Sequence, residues 1–409
     1  MLGVVESTGN KPMHRLAFAL AACLAATTAH AQASNASRAL AQDAIIVDTH
    51  IDAPGELSGG WRDLTAETDR EFDWPKAQAG GLDIAFMSIY TSPREDAEGT
   101  AFHAANQQID AVWALAARAP DKFAVLTSPR DIAKLERPGR VLLPLGMENG
   151  APIGDDLAKL SFFFDRGIRY ITLTHSAANR LSDSSYSAER KWNGLSPFGR
   201  EVVAEMNRLG MMVDVSHLSD AAALEAAKLS RVPVVATHSG MRHFTPGFER
   251  NASDEVAKAI AAKGGVVQIT FGTGFVNPVA AANMQAKFRE RAALQARNAE
   301  ARAAGREVED EAAWNAAWDK SHPVPPTELQ AVVDQIVYAV NLLGVDHVGI
   351  GSDFDGVGGA LPNHLRTVAD YPNLIAGLQA AGMSDADIRK VLGGNLLRVW
   401  TAVEDGATR

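Results

Sequence analysis

Ala44-Ile45-Ile46-Val47-Asp48-Thr49-His50-Ile51-Asp52 opens with apolar, mostly β-branched residues and closes with mostly polar ones. An apolar run of this kind predicts a strand that is buried on both faces, as the strands of parallel sheets are. The first predicted strand covers 44–47, and similar runs follow it at 82–90, 141–145, 170–174, 211–215, 233–236, 266–271 and 347–350.

Helical patterns separate most of these runs, and two of the helices begin with a serine N-cap, at Ser219 and Ser253. Repeated alternation of strand and helix along one chain predicts the α/β class and, within it, a (β/α)8 TIM-like barrel. An open, doubly wound sheet is the alternative arrangement. The sequence has no glycine-rich dinucleotide-binding motif that would favour it.

One long segment interrupts the alternation. Residues 281–320 are rich in Ala, Glu, Arg and Gln, and Gly305 is the single glycine or proline among them. This composition predicts a charged helical insertion between the seventh and eighth strands, and a proline-rich connector extends the insertion to about 325. A lid over the functional site, an oligomer contact and a solvated helical hairpin are all compatible with this pattern.

The composition limits the classes of function. The chain has 409 residues, of which 46% are hydrophobic, and a formal net charge of −10 at pH 7. These values are typical of a globular protein with a large core. Nucleic acid is excluded as a partner, because the charge is negative and lysine and arginine form no cluster.

The first 31 residues have the pattern of an export signal. Lys11, His14 and Arg15 precede the apolar run 16–26, which is too short to span a bilayer. Ala29-His30-Ala31 then supplies a cleavage motif of small residues. We therefore expect a signal peptide over 1–31, a single (β/α)8 domain over 32–409 without a transmembrane span, and a periplasmic or secreted location.

Cys23 is the only cysteine, and it lies inside the predicted signal peptide. The mature chain would therefore have no disulfide. Residues 20–23 also resemble a lipoprotein signal, which would anchor the protein to a membrane through Cys23. Both alternatives predict export from the cytoplasm.

The chemistry is indicated by the residues that follow the predicted strands. In (β/α)8 barrels, functional groups lie at the carboxyl ends of the strands. Histidine or carboxylate stands at these ends at His50, Asp52, Glu148, His175, His217, His238 and Asp353. One such histidine would usually be structural, but so many at one rim would be costly to bury unless they coordinated something.

The types of these residues favour metal ions. Imidazole and carboxylate suit Zn²⁺, and one carboxylate can bridge two ions. The set exceeds the three protein ligands of a typical single catalytic zinc, so we expect two zinc ions per chain. A serine-triad hydrolase is disfavoured, because the sequence has no G-x-S-x-G motif.

Taken together, the strand-end motifs resemble those of the renal (membrane) dipeptidase family, in its bacterial secreted form. The resemblance covers nearly the whole mature chain. Its segments, in order, are DTHID at 48–52, GMENG at 146–150, LTHS at 173–176, VDVSH at 213–217, THS at 237–239, GIGSDFDG at 349–356 and GGNLLR at 393–398.

The resemblance implies a set of metal ligands. His50 and Asp52 are similar to the ligands of one zinc ion, and His217 and His238 to those of the other. Glu148 is similar to the carboxylate that bridges the two ions.

The resemblance also implies residues that handle the substrate. His175 would contact the scissile carbonyl side, and Asp353 would carry the proton, although it could instead orient a ligand histidine. Arg250 resembles the arginine that binds the substrate carboxylate, with Arg242 as an alternative.

The implied activity is hydrolysis of dipeptides that have a free C-terminal carboxylate, with tolerance of a D-residue at the second position. A homodimer is a further expectation from the family. The alternative enzyme is a two-metal deacylase of the amidohydrolase type, which usually has His-x-His on the first strand rather than His50-x-Asp52. A binding protein without activity would be expected to lose a ligand or the proton carrier.

The export signal yields the first testable prediction. Mature protein from the periplasm should begin at Gln32, because signal peptidases cleave after small-residue motifs such as Ala29-His30-Ala31. N-terminal sequencing measures this directly. A lipid-modified Cys23 in the membrane fraction would contradict it and support the lipoprotein alternative.

Overall fold

The computed structural model describes residues 33–60, 62–187 and 189–408. The predicted signal peptide over 1–31, including Cys23, lies outside these ranges and stays a prediction. Among the described residues, no helix combines the length and the apolar character needed to cross a bilayer.

The described residues form one curved sheet in which every strand pairing is parallel. Its strands are β1 (Ile46–Ile51), β2 (Leu82–Tyr90), β3 (Phe123–Val125), β4 (Val141–Leu143), β5 (Leu145–Glu148), β6 (Ile168–Thr172), β7 (Met212–Asp214), β8 (Val235–Ala236), β9 (Val266–Ile269) and β10 (Val348–Ile350).

Helices lie before, between and after these strands. They are α1 (Asn35–Asp43), α2 (Ala53–Gly59), α3 (Trp74–Gly80), α4 (Pro93–Glu98), α5 (Ala101–Arg118), α6 (Ile132–Leu135), α7 (Ala158–Asp165), α8 (Pro197–Leu209), α9 (Asp220–Leu229), α10 (Asp254–Ala262), α11 (Thr273–Val276), α12 (Pro278–Ala303), α13 (Glu311–Ser321), α14 (Gln330–Leu343), α15 (Tyr371–Ala380), α16 (Asp385–Arg389) and α17 (Asn395–Asp405).

Eight of the strands form the barrel, in the order β1-β2-β5-β6-β7-β8-β9-β10. The barrel closes where the chain after β10 meets β1. There Asp353 N donates to His50 O at 3.0 Å, and Asp52 N donates to Phe354 O at 2.9 Å. The predicted (β/α)8 TIM-like barrel is thereby confirmed, with its first and last strands side by side.

The third predicted strand, 141–145, is in fact two strands. Pro144 has no N–H to donate, so it interrupts the ladder between β4 and β5. β4 pairs with β3, which the sequence analysis did not predict, and with β2. β5 pairs with β2 and β6 and carries Glu148 to the carboxyl-end rim.

A column of buried aromatic side chains runs through the barrel interior. Trp400 of α17 contacts Phe86 of β2 with ring centroids 5.2 Å apart, and Phe86 contacts Tyr170 of β6 at 5.5 Å. The same cluster contains Val47 and Ile84, near the amino ends of β1 and β2. We infer that α17 closes the barrel at the end opposite the rim that carries Glu148.

The predicted charged insertion is a helical hairpin formed by α12 and α13 between β9 and β10. α12 begins after Asn277, whose side chain accepts from the backbone N–H groups of Val279 and Ala280. Ion pairs join progressively later residues of α12 to progressively earlier residues of the α13 segment, so the two helices are antiparallel. The ion pairs are Lys287–Asp319 at 2.6 Å, Arg291–Glu311 at 2.5 Å and Arg297–Glu309 at 3.0 Å.

Candidate metal centre

The strand-end residues singled out by the sequence converge at one rim of the barrel. Because the strands are parallel and the barrel is closed, their carboxyl ends surround one space. The side chains that meet there are His50 at the end of β1, Asp52 just after it, Glu148 at the end of β5, His175 after β6, His217 after β7, His238 after β8 and Asp353 after β10.

Glu148 lies in the middle of this cluster. Its Oε1 lies 3.0 Å from His217 Nε2, 3.2 Å from His238 Nε2 and 3.5 Å from His175 Nε2. Its Oε2 lies 3.5 Å from His50 Nε2. Both oxygens of this carboxylate therefore face imidazole nitrogens, and either oxygen could serve as a metal ligand.

The donor atoms form three overlapping groups, each within 4.8 Å: His50, Glu148 and His238; Glu148, His175 and His217; and His50, Asp52 and Asp353. Glu148 and His50 each belong to two of these groups. The grouping also brings His175 and Asp353, which the sequence analysis assigned to the substrate, within reach of a metal ion.

The donor set fits divalent metal ions. His50 Nε2 is buried and has no hydrogen-bond partner among the described residues, although Asp52 Oδ2 and Glu148 Oε2 each lie 3.5 Å away. A buried imidazole nitrogen between carboxylates needs a positive charge beside it. Imidazole and carboxylate without cysteine are ligands that Zn²⁺ accepts.

The electrostatics of the cluster favour a cation. Burial raises the pKa of Asp52 and of Asp353, because ionisation away from water is unfavourable. Burial alone would lower the pKa of His50, but Asp52 and Glu148 outweigh it and raise the pKa of His50 to about 10. The carboxylates beside His50 Nε2 therefore favour a positive charge at this point, which either a proton or a metal ion can supply.

The remaining ligand candidates have the ionisation states that metals require. Burial lowers the pKa of His175 to about 4, and it lowers the pKa values of His217 and His238 well below their usual range. Burial alone would raise the pKa of Glu148, but His175 and His50 hold that pKa well below its ordinary value. Neutral imidazole and ionised carboxylate are the forms that bind metal.

Tyr170 orients His50. Tyr170 Oη donates its single hydrogen to Thr49 O at 3.1 Å and lies 2.9 Å from His50 Nδ1. The hydroxyl oxygen can therefore only accept from His50 Nδ1–H, which leaves the lone pair of His50 on Nε2, facing the cluster. Tyr170 was predicted as part of a strand and not as a site residue.

His238 is oriented in a similar way by Thr237 and Asp214. Thr237 Oγ1 donates to Asp214 Oδ2 at 2.7 Å and lies 2.9 Å from His238 Nδ1. Asp214 is fully buried and also accepts from the backbone N–H groups of Ser216 and Thr237. This network directs His238 Nε2 into the site.

The backbone at two of the strand ends is strained. His217 has φ of 67° and Asp353 has φ of 66°, a region that residues other than glycine rarely adopt. Close approach makes glycine necessary at Gly356, where a Cβ atom would lie 2.2 Å from Asp52 Oδ2 and 2.4 Å from Asp353 Oδ1. The strain and the close approach bring these side chains into the cluster.

The structure separates the two candidate arginines. Arg250 is 2% exposed, and its Nη2 donates to His217 Nε2 at 2.9 Å and to His238 O at 2.8 Å. Arg242 donates through both Nη atoms to Asp220 at 2.6 Å each. Arg250 therefore reaches the cluster, whereas Arg242 uses both Nη groups on Asp220 and its Nε on Asn251 O.

A cavity of about 600 Å³ opens above the cluster and is lined by Asp52, Glu148, His175, His217 and Asp353. The helical hairpin forms part of its wall, in line with the lid interpretation. The hairpin side chains that line the cavity are Met284, Lys287, Phe288 and Arg291 from α12 and Asn315 from α13.

A known protein family matches almost all of the described residues. The sequence profile of the membrane dipeptidase family, peptidase family M19, matches residues 34–409. The chain belongs to this family. The family resemblance drawn from the strand-end motifs is confirmed, and with it the enzyme class, a metal-dependent dipeptidase-type hydrolase.

Individual relatives agree with this assignment. Dipeptidase tcpJ of Claviceps purpurea is 30% identical over 361 residues, which cover 83% of this chain and 73% of tcpJ. Dipeptidase aclJ of Aspergillus oryzae is 32% identical over 343 residues, covering 82% and 70%. The crystal structure of the probable dipeptidase PvdM from Pseudomonas aeruginosa has a TM-score of 0.77 and 27% identity, covering 91% of this chain and 98% of PvdM.

The orientation of His50 gives a testable prediction. Tyr170→Phe should weaken metal binding by about 10–100-fold, because His50 loses the acceptor that fixes its tautomer. Competition with a chromophoric chelator measures the affinity, and circular dichroism checks the fold. Tyr338→Phe is the matched control, since Tyr338 Oη bonds Asp254 away from the cluster. Equal metal affinity in both variants would refute the orienting role.

Proposed function

We propose that this member of the membrane dipeptidase family is a two-zinc dipeptidase that hydrolyses dipeptides with a free C-terminal carboxylate. The observation that carries the proposal is the position of Glu148, whose oxygens lie within 3.5 Å of four histidine Nε2 atoms. One carboxylate shared by four imidazole groups is best explained by two ions with one bridge.

The protein groups divide between the two ions. His50 and Asp52 would hold one zinc ion, His217 and His238 would hold the other, and Glu148 would contact both. Metal ions held there would supply a water molecule of lowered pKa as nucleophile and a Lewis acid for the scissile carbonyl.

Arg250 supports the choice of a substrate with a terminal carboxylate. Its guanidinium is planar and can bind both carboxylate oxygens, and it lies within hydrogen-bond distance of His217. An anchor at the carboxylate leaves the side chain of the second residue free in a cavity of about 600 Å³. We therefore include dipeptides with a D-residue at the second position among the substrates.

Asp353 and His175 supply the remaining chemistry. Burial raises the pKa of Asp353, which favours a carboxyl group that takes a proton from the nucleophile and gives it to the leaving amine. His175 is neutral and packs against the ring of Tyr90 at 4.7 Å, and an N–H of its ring could stabilise the developing oxyanion.

We also propose that the enzyme acts outside the cytoplasm, in the periplasm or after secretion, on the evidence of the N-terminal signal pattern alone. The homodimer expected from the family resemblance is part of the same proposal, and light scattering of the purified protein would measure it.

The metal pair predicts a stoichiometry. Purified protein should contain close to two zinc ions per chain and hydrolyse L-Ala-L-Ala and L-Ala-D-Ala, and chelation should abolish both activities. Glu148→Gln should lower the zinc content, because a neutral amide cannot supply the bridging charge. Elemental analysis and steady-state kinetics on one preparation measure both. Full activity with one metal per chain would refute the bridge, and a preference for N-acyl amino acids would favour the deacylase alternative.

The carboxylate anchor predicts a binding defect. Arg250→Ala should raise KM by roughly one to two decades, the worth of a charge-assisted hydrogen bond, and C-terminally amidated dipeptides should be poor substrates. Arg242→Ala is the control and should change KM much less, because Asp220 already occupies that guanidinium. The reverse ranking of the two variants would show that Arg242 is the anchor.

The role of Asp353 predicts a separation of catalysis from metal binding. Asp353→Asn should keep about two zinc ions per chain and a similar KM, while kcat falls by about 10²–10⁴-fold, the usual worth of general acid–base catalysis. Asp355→Asn is the neighbouring control and should lose far less, since Asp355 Oδ1 accepts from Glu71 N and holds the loop. Loss of zinc in step with activity would make Asp353 a metal ligand instead.

A further inference from the structure

The hairpin contributes one defined face of α12 to the cavity. Met284, Lys287, Phe288 and Arg291 all line the cavity. Residues spaced three, four and seven apart share one side of a helix, so this lining is a continuous face and not a chance contact. The face combines two apolar residues with two cations.

The apolar residues of that face fix the helix over the cavity. Phe288 packs against Tyr186 with ring centroids 4.2 Å apart, and Tyr186 Oη lies 3.7 Å from Met284 Sδ. Gly274 permits the close approach of α12, since a Cβ atom there would lie 1.9 Å from Met284 Cε. The stretch of α12 that carries both cations is therefore held against the cavity.

The two cations are also fixed from the other side of the hairpin. Lys287 Nζ lies 2.6 Å from Asp319 Oδ1, and Arg291 Nε lies 2.5 Å from Glu311 Oε1. An ammonium has three N–H donors and a guanidinium has five, so each ion pair leaves donors available. The carboxylates of α13 position these cations without using up their capacity for hydrogen bonds.

Neither of these two cations has a role in the proposed reaction. The terminal carboxylate of the substrate belongs to Arg250, which is buried beside His217 on the barrel rim. Lys287 and Arg291 lie on the insertion instead, on the wall that α12 adds to the cavity. Two cations on this wall of the cavity suit a second anionic group on the substrate.

We propose that Lys287 and Arg291 form an anion-binding subsite that makes the enzyme prefer dipeptides with an acidic side chain. The subsite would recognise the side-chain carboxylate of Asp or Glu through charge-assisted hydrogen bonds. This inference rests on the proposed dipeptidase function and adds the substrate class to it.

The test compares isosteric substrates. The kcat/KM values for L-Ala-L-Glu and L-Ala-L-Gln form one ratio, and those for L-Glu-L-Ala and L-Gln-L-Ala form another, so both side-chain positions are covered. In the unmodified enzyme at low salt, at least one ratio should be about tenfold in favour of Glu. That ratio should shrink as salt is added, because both cations are partly exposed.

Substitutions then connect the preference to the hairpin. The double variant Lys287→Gln, Arg291→Gln should bring the Glu-to-Gln ratio close to one. Arg297→Gln is the matched control, because Arg297 is on the same helix and pairs with Glu309 in the same way but does not line the cavity. The control should keep the ratio of the unmodified enzyme. Arg291→Glu should shift the preference toward the dipeptide L-Ala-L-Lys.

Several outcomes would overturn the subsite. One is a Glu-to-Gln ratio of kcat/KM near one for both pairs of substrates in the unmodified enzyme. Another is an equal loss of kcat/KM for Glu and Gln substrates in the double variant. That result would indicate that the two cations have a structural role or bind the terminal carboxylate. Failure to cleave any dipeptide would instead refute the proposed function. In that case the subsite is tested by thermal stability. L-Ala-L-Glu should raise the Tm of the unmodified enzyme more than L-Ala-L-Gln does, and this difference should disappear in the double variant.

Discussion

Burial of carboxylates at the mouth of an apolar barrel is the constraint on which the rest of this structure depends. An ionised carboxylate loses its hydration there and must find compensating charge or hydrogen bonds. Asp48 finds hydrogen bonds, from His50 N at 3.1 Å and Ser352 N at 2.9 Å, and so joins β1 to the chain after β10. Glu148 instead has four histidine Nε2 atoms within 3.5 Å, and Asp52 Oδ2 lies 3.5 Å from His50 Nε2. That difference separates a carboxylate of the scaffold from those of a metal site.

Closure of the barrel brings the groups that compensate the buried carboxylates to one place. Residues far apart in sequence supply one cluster, because eight parallel strands bring their carboxyl ends to one rim. The supporting groups lie within the strands or directly after them: Tyr170 for His50, and Thr237 with Asp214 for His238. The cluster is therefore fixed by side chains that belong equally to the core and to the site.

The ligand candidates were predictable from the sequence for a physical reason. Each follows an apolar run directly, and parallel strands end at the same rim, so His50, Glu148 and His217 could be assigned to one space without coordinates. Tyr170 could not be identified, because a tyrosine inside an apolar run looks like any core aromatic. Lys287 and Arg291 were equally hidden, since periodicity shows that a helix has faces but not which distant surface a face meets.

Other details depended on local geometry that sequence patterns do not encode. Arg242 and Arg250 are eight positions apart and chemically identical, and only their different partners, Asp220 and His217, distinguish them. The division of the third predicted strand at Pro144 could not be predicted either, because it depends on which neighbouring strands each half pairs with. Positive φ at His217 and Asp353 is likewise invisible in the sequence, because neither position is occupied by glycine.

The aromatic column from α17 to the rim has a consequence for the order in which the enzyme matures. His50 is synthesised 350 residues before Trp400, yet Tyr170, which orients His50, rests on Phe86, which rests on Trp400. The contact of Phe86 with Trp400 cannot form until α17 has been synthesised. Nascent chains would thus lack an organised ligand set, and high-affinity metal capture would coincide with the final docking of α17. Metal uptake then reports complete folding, and a chain arrested before that step stays both apo and inactive.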